Sequence, residues 1–286
     1  MKNIGTTRQT IQLTPELPAC DIFLPGDYGI QRERGDIASV LVVPGLGSIR
    51  EDYARFGEVL AAQGLTVYSL NCNDGVQGSQ ATALTRRAEV VQKTLEKLQA
   101  PVHIAPHSLG APVTAIALDA GTENGPNHLV DYVESLHFMQ PAGFENHGPD
   151  DFLHAWRFFT GEAVNRTVRL MPVVLRGGKA SRERFHVRRR ADEVKGLWNL
   201  GENFMVGAVR SLFDVDKPMT FYVGPRDDLT RAKHIRAATV PIVGDESVID
   251  IHPAAGHLSV VSHPEHMAKH VLARLGLEYF DGLQAA

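Results

Sequence analysis

The chain has 286 residues, 43% of them hydrophobic, which is enough to bury one large core with room for a small second unit. A formal net charge of −4 argues against nucleic-acid binding by the molecule as a whole, and two cysteines, Cys20 and Cys72, are too few for a disulfide framework and are expected reduced in the interior. No apolar run approaches the roughly 20 residues of a membrane helix, and Met1-Lys2-Asn3-Ile4-Gly5 lacks the apolar core of an export signal, so a cytoplasmic location without stable membrane insertion is expected.

Taken in chain order, Thr10–Leu13 and Asp21–Leu24 suit an antiparallel pair at a sheet edge. Ala38–Val43 reads as a fully buried strand. From Tyr53 to Gln63 the apolar residues Phe56, Val59 and Leu60 recur at helical spacing, and Gly64 ends the helix. Leu65–Leu70 is the next strand. Ala83–Leu98 is strongly helical, with Val90, Val91, Thr94, Leu95 and Leu98 on one side, and Pro101 follows as a stop. Val102–Ala105 is a strand, Leu109–Ala120 a helix and Tyr132–Met139 a strand. Such alternation predicts an α/β fold, a mostly parallel central sheet flanked by helices.

The rhythm breaks after Met139. From about Ala142 to Leu212 the chain is richer in aromatic and basic residues, including Phe152, Trp156, Phe158 and Phe159. An insertion of about 70 residues exceeds an ordinary loop. The expected organisation is therefore a core over 1–141 and 214–286, interrupted by a mainly helical cap over 142–213. The core resumes with strands at Pro218–Val223 and Ser247–His252. A last helix from about His263 to Leu275 opens with Ser262-His263-Pro264-Glu265, a capping-box spacing with Pro in the first turn.

The stretch Val102-His103-Ile104-Ala105-Pro106-His107-Ser108-Leu109-Gly110-Ala111 carries the strongest chemical signal. An apolar strand stops at a Ser among small or turn-forming residues and leads into a helix, an order that holds a serine hydroxyl outward beside a helix N-terminus. An isolated Ser there could equally cap the helix. Acyl transfer needs more: a base, an acid to orient it and donors for an oxyanion. His257, after the small residues Pro253-Ala254-Ala255-Gly256 that follow a late strand, is the candidate base, with His252 its nearest competitor. Asp227, in the turn Gly224-Pro225-Arg226-Asp227-Asp228, is the candidate acid, with Asp228 as the alternative. Leu109 and Leu46 are the candidate oxyanion donors through their backbone N–H groups. Gly45 and Gly47, on either side of Leu46, let the chain bend close to a substrate, and with His107 they are the expected substrate-binding residues. The turn is not a phosphate loop, since no Lys follows its glycines.

With these residues in hand, the chain resembles an α/β-hydrolase from about residue 36 to 276. The elbow Pro106-His107-Ser108-Leu109-Gly110, the acid turn and Gly256-His257 come in that family's order of Ser, acid, His. Asn71-Asp74-Gly75-Gly78-Ser79 similarly resembles a loop of its lipase-like and esterase-like members. Two residues depart from the family pattern: Pro106 stands where a Gly is usual, and Pro44 where a His commonly precedes the first oxyanion glycine. The resemblance implies a serine hydrolase acting on a carboxylic ester or related acyl compound through an acyl-enzyme. It implies a small-molecule acyl substrate and neither metal nor organic cofactor. A thioesterase, an acyltransferase, a carbon–carbon bond hydrolase or a weakly catalytic ligand-binding member would use the same scaffold. A basic stretch from Arg176 to Arg190 is either a solvated face or an attractor of an anionic substrate.

Overall fold

The computed structural model describes residues 6–25, 38–46, 48, 50–72, 75, 81–144, 187–201, 203–225, 227, 230–251 and 256–277. Among the described residues eight strands form one sheet: β1 (Thr7–Ile11), β2 (Cys20–Leu24), β3 (Ser39–Val43), β4 (Thr66–Ser69), β5 (Val102–Pro106), β6 (Val133–Met139), β7 (Met219–Val223) and β8 (Ile249–Ile251). Their order is β1-β2-β4-β3-β5-β6-β7-β8. The β1–β2 and β2–β4 pairs are antiparallel and every later pair is parallel. The helices among the described residues are α1 (Ala54–Ala62), α2 (Ala83–Leu98), α3 (Gly110–Ala117), α4 (Val187–Asn199), α5 (Phe204–Phe213), α6 (Ala232–Val243), α7 (Ser259–Ser262) and α8 (Pro264–Arg274).

Both faces of the sheet are covered, which is why its central strands read as continuous apolar runs. Side chains alternate along each strand. Leu41 and Val43 join Ile104, Phe138, Phe221 and the inner faces of α2, α3 and α5 on one side. Val40 and Val42 join Ala105, Met139, Tyr222 and the inner faces of α1 and α8 on the other. Each such Val, Leu or Phe removed from water contributes on the order of 1.5–3 kcal/mol. Parallel strands carry their loops with helical crossovers, so the C-terminal ends of β3, β5, β6, β7 and β8 gather along one rim.

Several elements differ from expectation, each for a local reason. β1 lies at Thr7–Ile11 rather than Thr10–Leu13, because Asp21, buried in β2, accepts from Arg8 at 2.5 Å and Thr10 Oγ1 at 2.7 Å. The Gln12 amide then bonds the Pro15 and Leu17 carbonyls and turns the chain out of the sheet. β8 is shortened at its start by a 3₁₀ turn over Glu246–Val248, capped by Asp245 through Ser247 N–H at 2.7 Å. The expected capping box before the last helix is absent. Ser262 Oγ bonds the Leu258 carbonyl and His263, while Glu265 reaches Arg55 of α1 at 2.9 Å. α5, which the sequence assigns to the end of the cap, puts Met205, Val209 and Leu212 into the same core layer as Phe221. The aromatics Phe152, Trp156, Phe158 and Phe159, His252, Gly47, Asp228 and the side chains of the basic stretch lie outside the described residues. Cys20 and Cys72 are buried and unpaired, and burial pushes both thiols up to about 11.

Candidate active site

At the end of β5 the chain turns into α3 through His107, Ser108 and Leu109. Pro106 still lies in register with Val43 of β3, and the ladder is carried on by the His107 N–H, which meets the Val43 carbonyl at 3.0 Å. The missing N–H of Pro106 therefore costs the β3 pairing nothing. Ser108 follows with φ of 51°, a left-handed conformation that a non-glycine residue adopts only under constraint. The constraint is visible on both sides. Its N–H donates to Met139 of β6 at 3.0 Å, and its carbonyl receives the N–H groups of Ala111 and Ala142 at 3.0 and 3.1 Å. Gly110 makes the turn sterically possible, since a Cβ there would lie 2.3 Å from the Val43 carbonyl oxygen.

Three residues from different strand ends meet at this point. Ser108 Oγ is 2.8 Å from His257 Nε2. His257 Nδ1 is 3.1 and 3.2 Å from the two oxygens of Asp227. Ser108 is 7% exposed, His257 8% and Asp227 less. His257 sits in a turn closed by Ser259, whose hydroxyl bonds both the N–H and the carbonyl of Gly256. Asp227 follows β7 through a turn bonded from its own N–H to the Gly224 carbonyl, and its oxygens also accept from Thr230 N–H at 2.8 Å and Thr230 Oγ1 at 2.6 Å. Burial opposes ionisation of this carboxyl, but the hydrogen bonds from His257 and from Thr230 outweigh it and hold Asp227 below the usual carboxylate range. An ionised carboxylate only accepts, so His257 Nδ1 carries the proton and Nε2 is left to accept from the serine hydroxyl. A hydroxyl, an imidazole and a carboxylate so ordered can generate a nucleophile at neutral pH.

His107, expected among substrate-binding residues, faces inward instead. It is 1% exposed, with Nε2 2.8 Å from the His257 carbonyl and Nδ1 2.8 Å from the Tyr53 hydroxyl. A carbonyl only accepts, so Nε2 donates, and the Tyr53 O–H donates to Nδ1. Burial pushes the Tyr53 phenol up to about 12, which keeps it protonated for that purpose. The same hydroxyl accepts the Gly45 N–H at 2.9 Å. His107 and Tyr53 thus tie the turn after β3 to the main chain of His257.

Gly45, after β3, lies against His107 and Ser108. A Cβ on Gly45 would come within 3.0 Å of His107 Nδ1 and 3.1 Å of Ser108 Cβ, so glycine is what permits the approach. Both polar atoms of Gly45 are engaged within the protein: its N–H with Tyr53, its carbonyl with Ser48 N–H at 3.3 Å and with Arg87 at 3.0 Å. Among the described residues, neither Leu46 N–H nor Leu109 N–H has an acceptor. Leu109 precedes α3 and therefore stands at the positive end of its dipole.

Sequence reasoning passed over Arg87, although a signal was there. Arg87 interrupts the inward stripe Leu84, Ala88, Val91, Leu95 of α2 with a charge.

No family model matches the sequence, and no curated protein sequence does. Solved structures match over almost the whole length. A lipase from Acinetobacter baumannii superposes with a TM-score of 0.66 at 13% identity, covering 95% of this chain and 91% of its own. A bacterial membrane phospholipase A gives 0.63 at 18%, covering 95% and 86%, and a thermophilic esterase from Thermogutta terrifontis gives 0.60 at 16%, covering 94% and 98%.

The chain has the α/β-hydrolase fold.

In α/β-hydrolase terms, the first departure noted in the sequence has a structural compensation: Pro106 is bypassed by the His107 N–H. At the second, Arg87 binds the main-chain carbonyl of Pro44 at 2.6 Å. Among the described residues no helix is long and apolar enough to cross a membrane, and no group of three His, Cys, Asp or Glu side chains is arranged to hold a metal ion.

Proposed function

We propose that the protein is a serine hydrolase that cleaves a carboxylic ester or related acyl compound. The observation that carries this reading is the 2.8 Å contact between Ser108 Oγ and His257 Nε2, with Asp227 behind the imidazole and a strained φ at the serine. Ser108 attacks the substrate carbonyl and His257 Nε2 takes its proton. Asp227 holds the Nδ1–H tautomer and stabilises the imidazolium. Leu46 and Leu109 N–H groups receive the oxyanion. His257 returns the proton to the leaving alkoxide, then activates a water that releases the acid from the acyl-serine. Gly45 shapes the wall beside the carbonyl, while His107 acts on the site through the main chain of His257 rather than through the substrate.

The test is direct. The wild-type protein should hydrolyse a short p-nitrophenyl ester and be labelled by a fluorophosphonate. Ser108→Ala should lose both while its melting temperature stays within a few degrees. Labelling that persists in Ser108→Ala, or a wild type inert to both reagents, removes the proposal.

A further inference from the structure

Arg87 and Glu193 form a buried ion pair. Arg87 is 1% exposed and Glu193 2%, and Nη1 lies 3.1 Å from the Glu193 Oε1. Glu193 belongs to α4, which comes in against α2 at Gly196, where a Cβ would be 3.0 Å from Leu84 Cγ. Such a pair is seldom kept for stability, because apolar side chains of equal volume often serve as well or better. What a guanidinium adds is a planar fork of donors. Here Nη2 donates to the carbonyls of both Pro44 (2.6 Å) and Gly45 (3.0 Å).

Those two carbonyls decide where the next two N–H groups point. Among the described residues no cis peptide occurs, and in a trans peptide the C=O and N–H lie on opposite sides. With the Pro44 carbonyl held toward Arg87, the Gly45 N–H is turned the other way, where it meets the Tyr53 hydroxyl at 2.9 Å. With the Gly45 carbonyl held likewise, the Leu46 N–H is turned away from Arg87, and among the described residues it has no acceptor. The backbone between them packs on Ser108.

We propose that Arg87, fixed in place by Glu193, is a positioning residue that aims the Leu46 N–H at the oxyanion formed when Ser108 attacks. The inference rests on the serine-hydrolase reading above and names a determinant of its transition-state binding. Arg87 acts through the main chain of the turn. Because Glu193 comes from α4, in the segment that the sequence reads as a cap, the aim of this donor depends on how α4 is seated. Lifting α4 leaves a buried guanidinium without its carboxylate and loosens its hold on the turn.

Replacing Arg87 alone would strand Glu193, so the pair is replaced together as Arg87→Met with Glu193→Leu, beside Arg87→Lys alone. Hydrolysis of the p-nitrophenyl ester, inhibition by a trifluoromethyl ketone and thermal unfolding are followed. The ketone forms a tetrahedral adduct on an active serine and so reports the oxyanion site. The double variant should remain folded, lose about 30- to 300-fold in kcat with KM within about threefold, and lose affinity for the ketone in parallel with kcat/KM. Arg87→Lys, which keeps a single donor nitrogen for the carbonyls, should recover part of the kcat. A folded double variant with wild-type kcat, or one whose kcat falls while ketone affinity does not, overturns the proposal. If the double variant fails to fold, Glu193→Gln carries the same comparison, with a smaller but still parallel loss expected and wild-type values for both overturning it. A wild type that neither turns over ester nor accepts fluorophosphonate defeats the hydrolase reading itself, a result distinct from an active wild type with an unaffected variant.

Discussion

Gly110→Ala puts a single methyl group where the chain has no room for it. The Cβ would sit 2.3 Å from the Val43 carbonyl oxygen, whereas ordinary contact begins near 3.4 Å, so α3 and β3 must separate by about 1 Å. Neither partner is a flexible side-chain end. Val43 is fully buried in β3, and its carbonyl already receives the His107 N–H at 3.0 Å, one residue before Ser108. Displacement therefore passes straight into Ser108, whose hydroxyl must stay 2.8 Å from His257. Misplacing a reacting group by about 1 Å costs on the order of 10²-fold in rate, and overpacking of this kind destabilises by about 1–3 kcal/mol. Gly110→Ala should thus lower kcat/KM for the p-nitrophenyl ester and the rate of fluorophosphonate labelling by about 100-fold. Gly207→Ala on α5 is the control: its nearest neighbour would be 3.6 Å away, and a helix interior favours Ala over Gly by up to about 1 kcal/mol. It should be active and no less stable. A Gly110→Ala protein that labels at the wild-type rate would show that the elbow yields elsewhere, and the reasoning from Val43 to Ser108 would be refuted.

Away from the site, His137 sets an acid limit on stability. Burial, helped by His103 and Arg274, pushes the His137 imidazole down to about 3 from an ordinary 6.5, while Ser135 and Thr220 hold its two nitrogens at 2.8 and 2.9 Å. The unfolded chain then binds one more proton than the folded one between those values, so stability falls by about 1.4 kcal/mol per pH unit below pH 6.5 and levels off near pH 3. His137→Asn should remove that slope; urea unfolding from pH 4.5 to 7.5 that gives parallel curves for both proteins would contradict it. Tyr53→Phe removes the hydroxyl shared by Gly45 N–H and His107 Nδ1 and should cost about 1–3 kcal/mol. Its kcat should fall several-fold through the loosened His107–His257 link, a result read from kinetics beside thermal unfolding; a fall in stability with kcat untouched would separate His107 from the site.

The apolar runs of β3, β5 and β7, the helical stripes of α1 and α2 and the Ser-Leu-Gly turn are properties of neighbouring residues, and a sequence displays neighbours. The candidate acid and base were legible for a related reason. Asp227 and His257 each follow a strand of a parallel sheet, and such strands deliver their C-terminal ends to one rim. The order of elements therefore brings together residues that are 150 positions apart in the chain, as His107 and His257 are.

What the chain could not display is which polar group answers which across the interior. His107 looked like a substrate contact because it adjoins Ser108; only the packed fold shows its ring lying between Tyr53 and the main chain of His257. Arg87 broke a helical stripe without any partner in sight, since Glu193 lies 106 residues on, in a helix whose approach depends on Gly196. Asp21 likewise drew β1 into a register that hydropathy alone placed further along. Local sequence determined the elements and their order, because propensity and periodicity act between near neighbours. The tertiary structure alone decided the pairing of buried charges and hydrogen bonds, because a polar group removed from water must find its partner wherever the fold brings one.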